Sequence, residues 1–165
     1  MPSAQAQKVG LITGTGGGIG KATAELLLKK DYLVFGYSRT NKINHPNFTF
    51  TTIDLSDLGQ VNDLALPIIN SDNVLLINNA ATIGSIVPFD KKETSDIINE
   101  CNLNLVSPTI LCRKFITTYP DKEKLLINIG SGAANSPIPS WSTYCATKAA
   151  LDMLTQVIAE ENHKN

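Results

Sequence analysis

The stretch "KVGLITGTGGGIGKATAELLLKKD", Lys8 to Asp31, decides the fold. Lys8–Thr13 is a short, β-rich apolar run, as expected of a strand buried on both faces. Ile19–Asp31 is helical, with Ala22, Leu26 and Lys29/Lys30 spaced as a face and its edge. Between them lies "TGTGGGIG", Thr13–Gly20. Glycine lets the backbone turn sharply and approach a ligand closely. The helix start beyond it supplies free N–H groups and partial positive charge, which suit a diphosphate. The spacing is Gly14-x-x-x-Gly18-x-Gly20, not G-x-G-x-x-G, and no Lys-Ser/Thr pair closes the turn as in a P-loop. The plainer alternative is a turn that only packs helix on strand, and it leaves several glycines lowering stability without compensation.

Working outward, short apolar runs alternate with amphipathic ones. Tyr32–Ser38, Phe48–Ile53, Asn73–Asn78 and Lys124–Gly130 read as further strands. "NKINHPN" after the second strand is a loop. A helix is expected in "SDLGQVNDLALPIIN", with Ser56 as N-cap and Gly59 and Pro67 weakening it. Lys91–Pro120 gives one or two helices, with Pro108 at a bend or in a first turn. "STYCATKAALDMLTQVIAEE" is the last helix. Strands alternating with helices imply an α/β fold, a Rossmann-type doubly wound parallel sheet. The expectation is a single dinucleotide-binding domain over residues 1–165, ending after the last helix.

Composition fits that reading. The chain has 165 residues, 42% of them apolar, enough for a sizeable core. A net charge of −1 without a basic run argues against nucleic acid or an anionic membrane as partner. No stretch approaches the roughly 20 apolar residues that span a bilayer, and the N-terminus lacks a signal peptide's apolar core. Cys101, Cys112 and Cys145 lack metal-like spacing, and His45 and His163 offer no cluster. The cysteines read as free thiols in a reducing, cytoplasmic setting, with no metal.

The end of the second strand faces the adenosine ribose in this fold. An acid there would bond the ribose 2′-OH; this chain has Ser38, Arg39 and Thr40 instead. Arg39 can pair with a 2′-phosphate through its planar fork, which favours NADP over NAD. The alternative is that Arg39 is only a solvated charge.

The glycine turn, "NNA" at Asn78–Ala80, Asn104, Ser131 and Tyr144-x-x-x-Lys148, taken together and in this order, resemble the short-chain dehydrogenase/reductase family. The resemblance covers nearly the whole chain. Ser131–Ala134, Trp141, Tyr144-Cys145, Lys148-Ala149 and Asp152-Met153 are most similar to the sepiapterin reductase and bacterial benzil reductase group. What this implies is an oxidoreductase that moves a hydride from NADPH to a ketone or dicarbonyl. The resemblance places the cofactor against Gly14, Thr15, Gly18, Ile19, Gly20, Arg39, Asp54, Asn79 and Ala80, with Tyr144 and Lys148 at the nicotinamide end. Asp54 is equally readable as a turn cap, and Trp141 as plain packing. A homodimer or homotetramer through the helices bearing Asn104 and Tyr144 is implied as well.

The chemistry explains the residue types. Carbonyl reduction needs a proton on the oxygen, and tyrosine's ordinary pKa near 10 is too high for ready exchange at neutral pH. A lysine four residues on lies one helical turn away on the same face. At ~4 Å and an effective dielectric of ~20 its charge is worth about 4 kcal/mol, or roughly 3 pKa units as an upper guide. Ser131, at the ligand-binding end of the fifth strand, would hold the substrate carbonyl. By resemblance Asn104 anchors a water relay to Lys148, with Asn102 a nearby rival.

Three departures stand out. Ala81 replaces the family's usual Gly after Asn-Asn-Ala, costing roughly 1 kcal/mol if φ is positive there. Gly17 sits where many NADP-using relatives carry a basic residue. The family's segments beyond the Tyr–Lys helix are not in this sequence, so an unpaired fifth-strand edge and a lidless pocket are expected. A binding or assembly module without turnover is therefore a second reading.

Overall fold

The computed structural model describes residues 8–162. Five strands form one parallel sheet: β1 (Val9–Thr13), β2 (Leu33–Ser38), β3 (Phe48–Thr52), β4 (Asn73–Asn78) and β5 (Glu123–Asn128). Their spatial order is β3-β2-β1-β4-β5. The chain steps outward from β1 to β3, then crosses back to β4, so the order reverses beside β1. β1 is buried along its whole length because it has a strand on each side and cover on both faces.

Side-chain alternation splits the core in two. On one face Ile12, Val34 and Ile77 pack under α1 (Gly18–Leu28), against Ala24 and Leu28. On the other, Val9, Leu11, Val74 and Leu76 pack against Val61 of α2 (Leu58–Asp63) and Leu111 and Phe115 of α4 (Ser107–Thr118). The buried stripe of α1 is Gly20, Ala24 and Leu28. Ala22 and Leu26 were the expected face, and that is corrected: Leu26 is 53% exposed. The helix also ends before Asp31, whose φ of 60° places it in the left-handed region that stops a helix.

Two further expectations are refined. The N-cap of α2 is Asp57, not Ser56; its carboxylate accepts from the Gly59 and Gln60 amides. The run before β5 is one helical path in three parts: α3 (Thr94–Cys101), a π-helical turn (Asn102–Val106) and α4. Pro108, in the first turn of α4, has no N–H to give the carbonyl four residues back, so the ordinary ladder is interrupted there. The last helix, α5 (Ser142–Asn162), lies against the π-helical turn and α3. Within the described residues β5 pairs only with β4, and Leu125 on it is 58% exposed. Among the described residues no helix is long and apolar enough to cross a membrane. None of them forms a metal-holding cluster either; His163 lies outside the described residues.

Candidate active site

Loops at the C-terminal ends of the strands enclose a groove of about 560 Å³. Gly14, Gly16 and Gly17 form its floor, Ser38, Arg39 and Thr40 one end, and Asn79 to Thr82 a wall. The glycine turn is built for close approach. Gly14 has φ +76°, and a Cβ there would sit 2.7 Å from Asn79 Nδ2. A Cβ on Gly16 would sit 2.6 Å from Thr40 Oγ1. Gly17 and Gly18, in contrast, face open space. The first turn of α1 carries no acidic residue and no side-chain cap, so its amide groups remain available to an anion. Thr15 is buried with its hydroxyl unpartnered, and Ile19 is 66% exposed. The groove therefore meets Gly14, Gly16 and Gly17; Thr15, Gly18, Ile19 and Gly20 do not line it.

Arg39 is exposed and has no ion-pair partner among the described residues. The Ser38 hydroxyl is spent on the Thr40 carbonyl at 2.7 Å. Asp54 lines the groove, but its carboxylate already caps a turn, accepting from the Ser56 hydroxyl at 2.7 Å and amide at 3.0 Å. Those bonds, aided by the Arg39 charge, hold the Asp54 carboxyl below its usual range.

Thr13 joins β1 to the turn after β4. Its hydroxyl accepts from the Asn79 and Ala80 amides at 2.9 and 3.1 Å. Asn79 Nδ2 donates back to the Thr13 carbonyl at 3.0 Å. Asn79 is thus a latch between the two turns as well as part of the wall. Ala81 does not have positive φ, so the strain expected from the missing glycine is not there.

None of the four residues expected to be catalytic lines this groove; they lie on the π-helical turn, after β5 and on α5, joined to its wall through the Asn104–Thr82 bonds. Lys148 is buried, and its ammonium donates to the Ile129 carbonyl at 2.7 Å. It lies 5.7 Å from the centroid of the Tyr144 ring, one turn earlier on α5. Trp141 meets the Tyr144 ring edge-on at 5.7 Å between centroids and fixes its tilt. Ser131 is half-buried after β5, where its hydroxyl accepts from the Ala133 amide at 3.2 Å. Asn104 is buried in the π-helical turn. Its amide accepts from Thr82 N at 2.9 Å and donates to Thr82 O at 2.8 Å and Thr147 Oγ1 at 3.3 Å. Asn104 therefore ties the groove wall to α5, next to Lys148. Asn102, the rival, bonds the Ser56 carbonyl instead.

Burial pushes the Lys148 pKa below its ordinary 10.5. In that case the folded chain releases this proton before the unfolded chain does. The parent is expected to gain stability relative to Lys148→Met as pH rises from the lowered value toward 10.5. Melting temperatures of both proteins across that range check this; a difference that moves the other way contradicts it.

A family model described as short chain dehydrogenase matches residues 8–165. The chain belongs to the short-chain dehydrogenase family. It is 36% identical to the benzil reductase ((S)-benzoin forming) of Bacillus cereus, over 92% of this chain and 67% of that one. It is 38% identical to the sepiapterin reductase of Xenopus tropicalis, over 55% of this chain and 37% of that one. The chain thus spans about two thirds or less of the length of these relatives. A 4-hydroxyisoleucine dehydrogenase complexed with NADH superposes with a TM-score of 0.87 at 26% identity, over 96% of this chain and 69% of that one. Short-chain dehydrogenases are oxidoreductases that bind a nicotinamide dinucleotide and act on small molecules, commonly as oligomers. The open positions at Gly17 and Gly18 and the uncapped start of α1 suit such a dinucleotide.

Ala81 stood out in the sequence only as a departure from the family's glycine, and the lining residues Asn99 and Leu103 carry no local signal. Thr82 takes its place from Asn104, which is distant in sequence.

Proposed function

We propose that this chain carries the cofactor-binding part of an NADPH-dependent reductase of ketones or dicarbonyls. The observation that carries the reading is the junction of Tyr144, buried Lys148 and Asn104 with the wall of the glycine-turn groove. Gly14, Gly16 and Gly17 with the α1 amides would hold the diphosphate, Arg39 the 2′-phosphate, and Lys148 the nicotinamide ribose. A reduced nicotinamide bound there supplies the hydride.

The protein's part is the proton and the orientation. Ser131 donates to the carbonyl oxygen and fixes its direction, while Tyr144 gives that oxygen its proton. The Lys148 ammonium favours the phenolate left behind. Asn104 keeps the groove wall in register with α5. Arg39 is the charge behind the 2′-phosphate preference, since Gly17 adds none and the Ser38 hydroxyl donates to the Thr40 carbonyl.

Following NADPH oxidation with a diketone such as benzil tests the reading, for the parent and for Tyr144→Phe. Turnover lost on substitution supports the reductase. NADPH binding without turnover in the parent assigns a binding module instead.

A further inference from the structure

The loop after β4 runs along α3, and successive helical turns grip it in reverse order. Asn104 holds both the amide and the carbonyl of Thr82. One turn back, Glu100 lies beneath Gly84, whose φ is +67°. A Cβ on Gly84 would overlap the Glu100 carboxylate and come within 2.8 Å of its Cγ. One turn further back, Asp96 accepts from the Ser85 hydroxyl. Positions 96, 100 and 104 recur every four residues, so they form one stripe on the helix.

The middle contact is the unusual one. Lys92 Nζ lies 2.6 Å from Glu100 Oε1, and both side chains are 0% exposed. Neither carboxylate oxygen receives a directed hydrogen bond among the described residues. Lys92 also donates to the Ser85 carbonyl at 3.1 Å. A buried ion pair is poor value for stability alone, because apolar residues of similar volume often do as well. Here the pair does something apolar residues cannot: it holds a backbone carbonyl on one side and seats a glycine in the left-handed region on the other. The loop so held begins at Ala81 and Thr82, which are groove wall. Through Asn104 and Thr147 the same wall is fixed to α5 beside Lys148.

We propose that Lys92 and Glu100 are positioning residues that hold the Ala81–Thr82 wall at the nicotinamide end of the groove. The proposal rests on the dinucleotide reading above. It separates the two ends: Arg39 and the glycine turn, which bind the adenosine and phosphates, do not touch the pair.

The test compares 2′,5′-ADP, a probe of the adenosine end, with NADPH, which fills both. The variants are Lys92→Met/Glu100→Leu, which removes the pair without stranding a charge, and Gly84→Ala, which retains both charged residues but drives a Cβ into the Glu100 carboxylate and so forces the loop and the pair apart. Both are expected to bind 2′,5′-ADP within about twofold of the parent and NADPH about tenfold more weakly. Should the double variant fail to fold, Gly84→Ala decides alone. NADPH affinity within twofold of the parent overturns the proposal. A parallel loss of both probes also overturns it, since that is what plain destabilisation does. A parent that binds neither probe overturns the dinucleotide reading itself, and the proposal with it.

Discussion

Tyr144→Phe is expected to lower kcat for NADPH-dependent dicarbonyl reduction by about 10²–10⁴-fold, the usual contribution of a positioned proton donor. NADPH affinity should stay within about twofold. The substitution removes one hydroxyl and keeps the ring that packs edge-on against Trp141. Lys148 keeps its bond to the Ile129 carbonyl, so the groove loses no support. Steady-state kinetics alongside a binding titration separate the two effects. Retention of more than a tenth of the parent kcat would contradict the proton-donor role.

The second large effect is one of selectivity. Arg39→Ala should weaken NADPH by about 10–100-fold, the worth of one lost hydrogen bond to a charged group. NADH, with no 2′-phosphate, should change by less than about twofold. The contrast is expected to be sharp because Arg39 forms no salt bridge among the described residues that would compete with the phosphate. Ser38 cannot substitute while its hydroxyl serves the Thr40 carbonyl. Equal losses for the two nucleotides would sink the assignment; the structural relative that holds NADH makes this a real alternative.

The sheet was legible because its signals are local. Short apolar runs fix β1 to β5, and glycines between the first strand and helix fix the turn. The face of α1 was misjudged by two residues. Gly20 offers no hydrophobic signal, yet it lies on the buried stripe, where a Cβ would collide with the Gly14 carbonyl oxygen. The identity of the α2 cap was a contest between neighbouring Ser56 and Asp57, which local sequence does not decide. Ala81 was suspected of strain because the family pattern has glycine there, but its backbone adopts an ordinary negative φ.

The site was legible only in part. Tyr144 and Lys148 announce themselves by one-turn spacing, and Asn104 by its family register. What Asn104 does is a long-range fact: its partners Thr82 and Thr147 lie 22 and 43 residues away. The Lys92–Glu100 pair was invisible for the same reason, since an acid and a base eight positions apart give no periodic sign of burial. Asp54 shows the converse. Its position agreed with both an adenine contact and a turn cap; in the structure its Oδ1 serves the Ser56 cap while the residue lines the groove.

A nicotinamide dinucleotide held as proposed lies in this groove with its reactive end toward Tyr144. Trp141 is the chain's single tryptophan and touches that ring. Its fluorescence therefore reports directly on the nicotinamide end. Titration with NADPH is predicted to give saturable quenching with one site per chain, a Kd on the order of 1–100 μM, and reversal by 2′,5′-ADP. An unchanged or non-saturating signal up to millimolar NADPH would contradict the account.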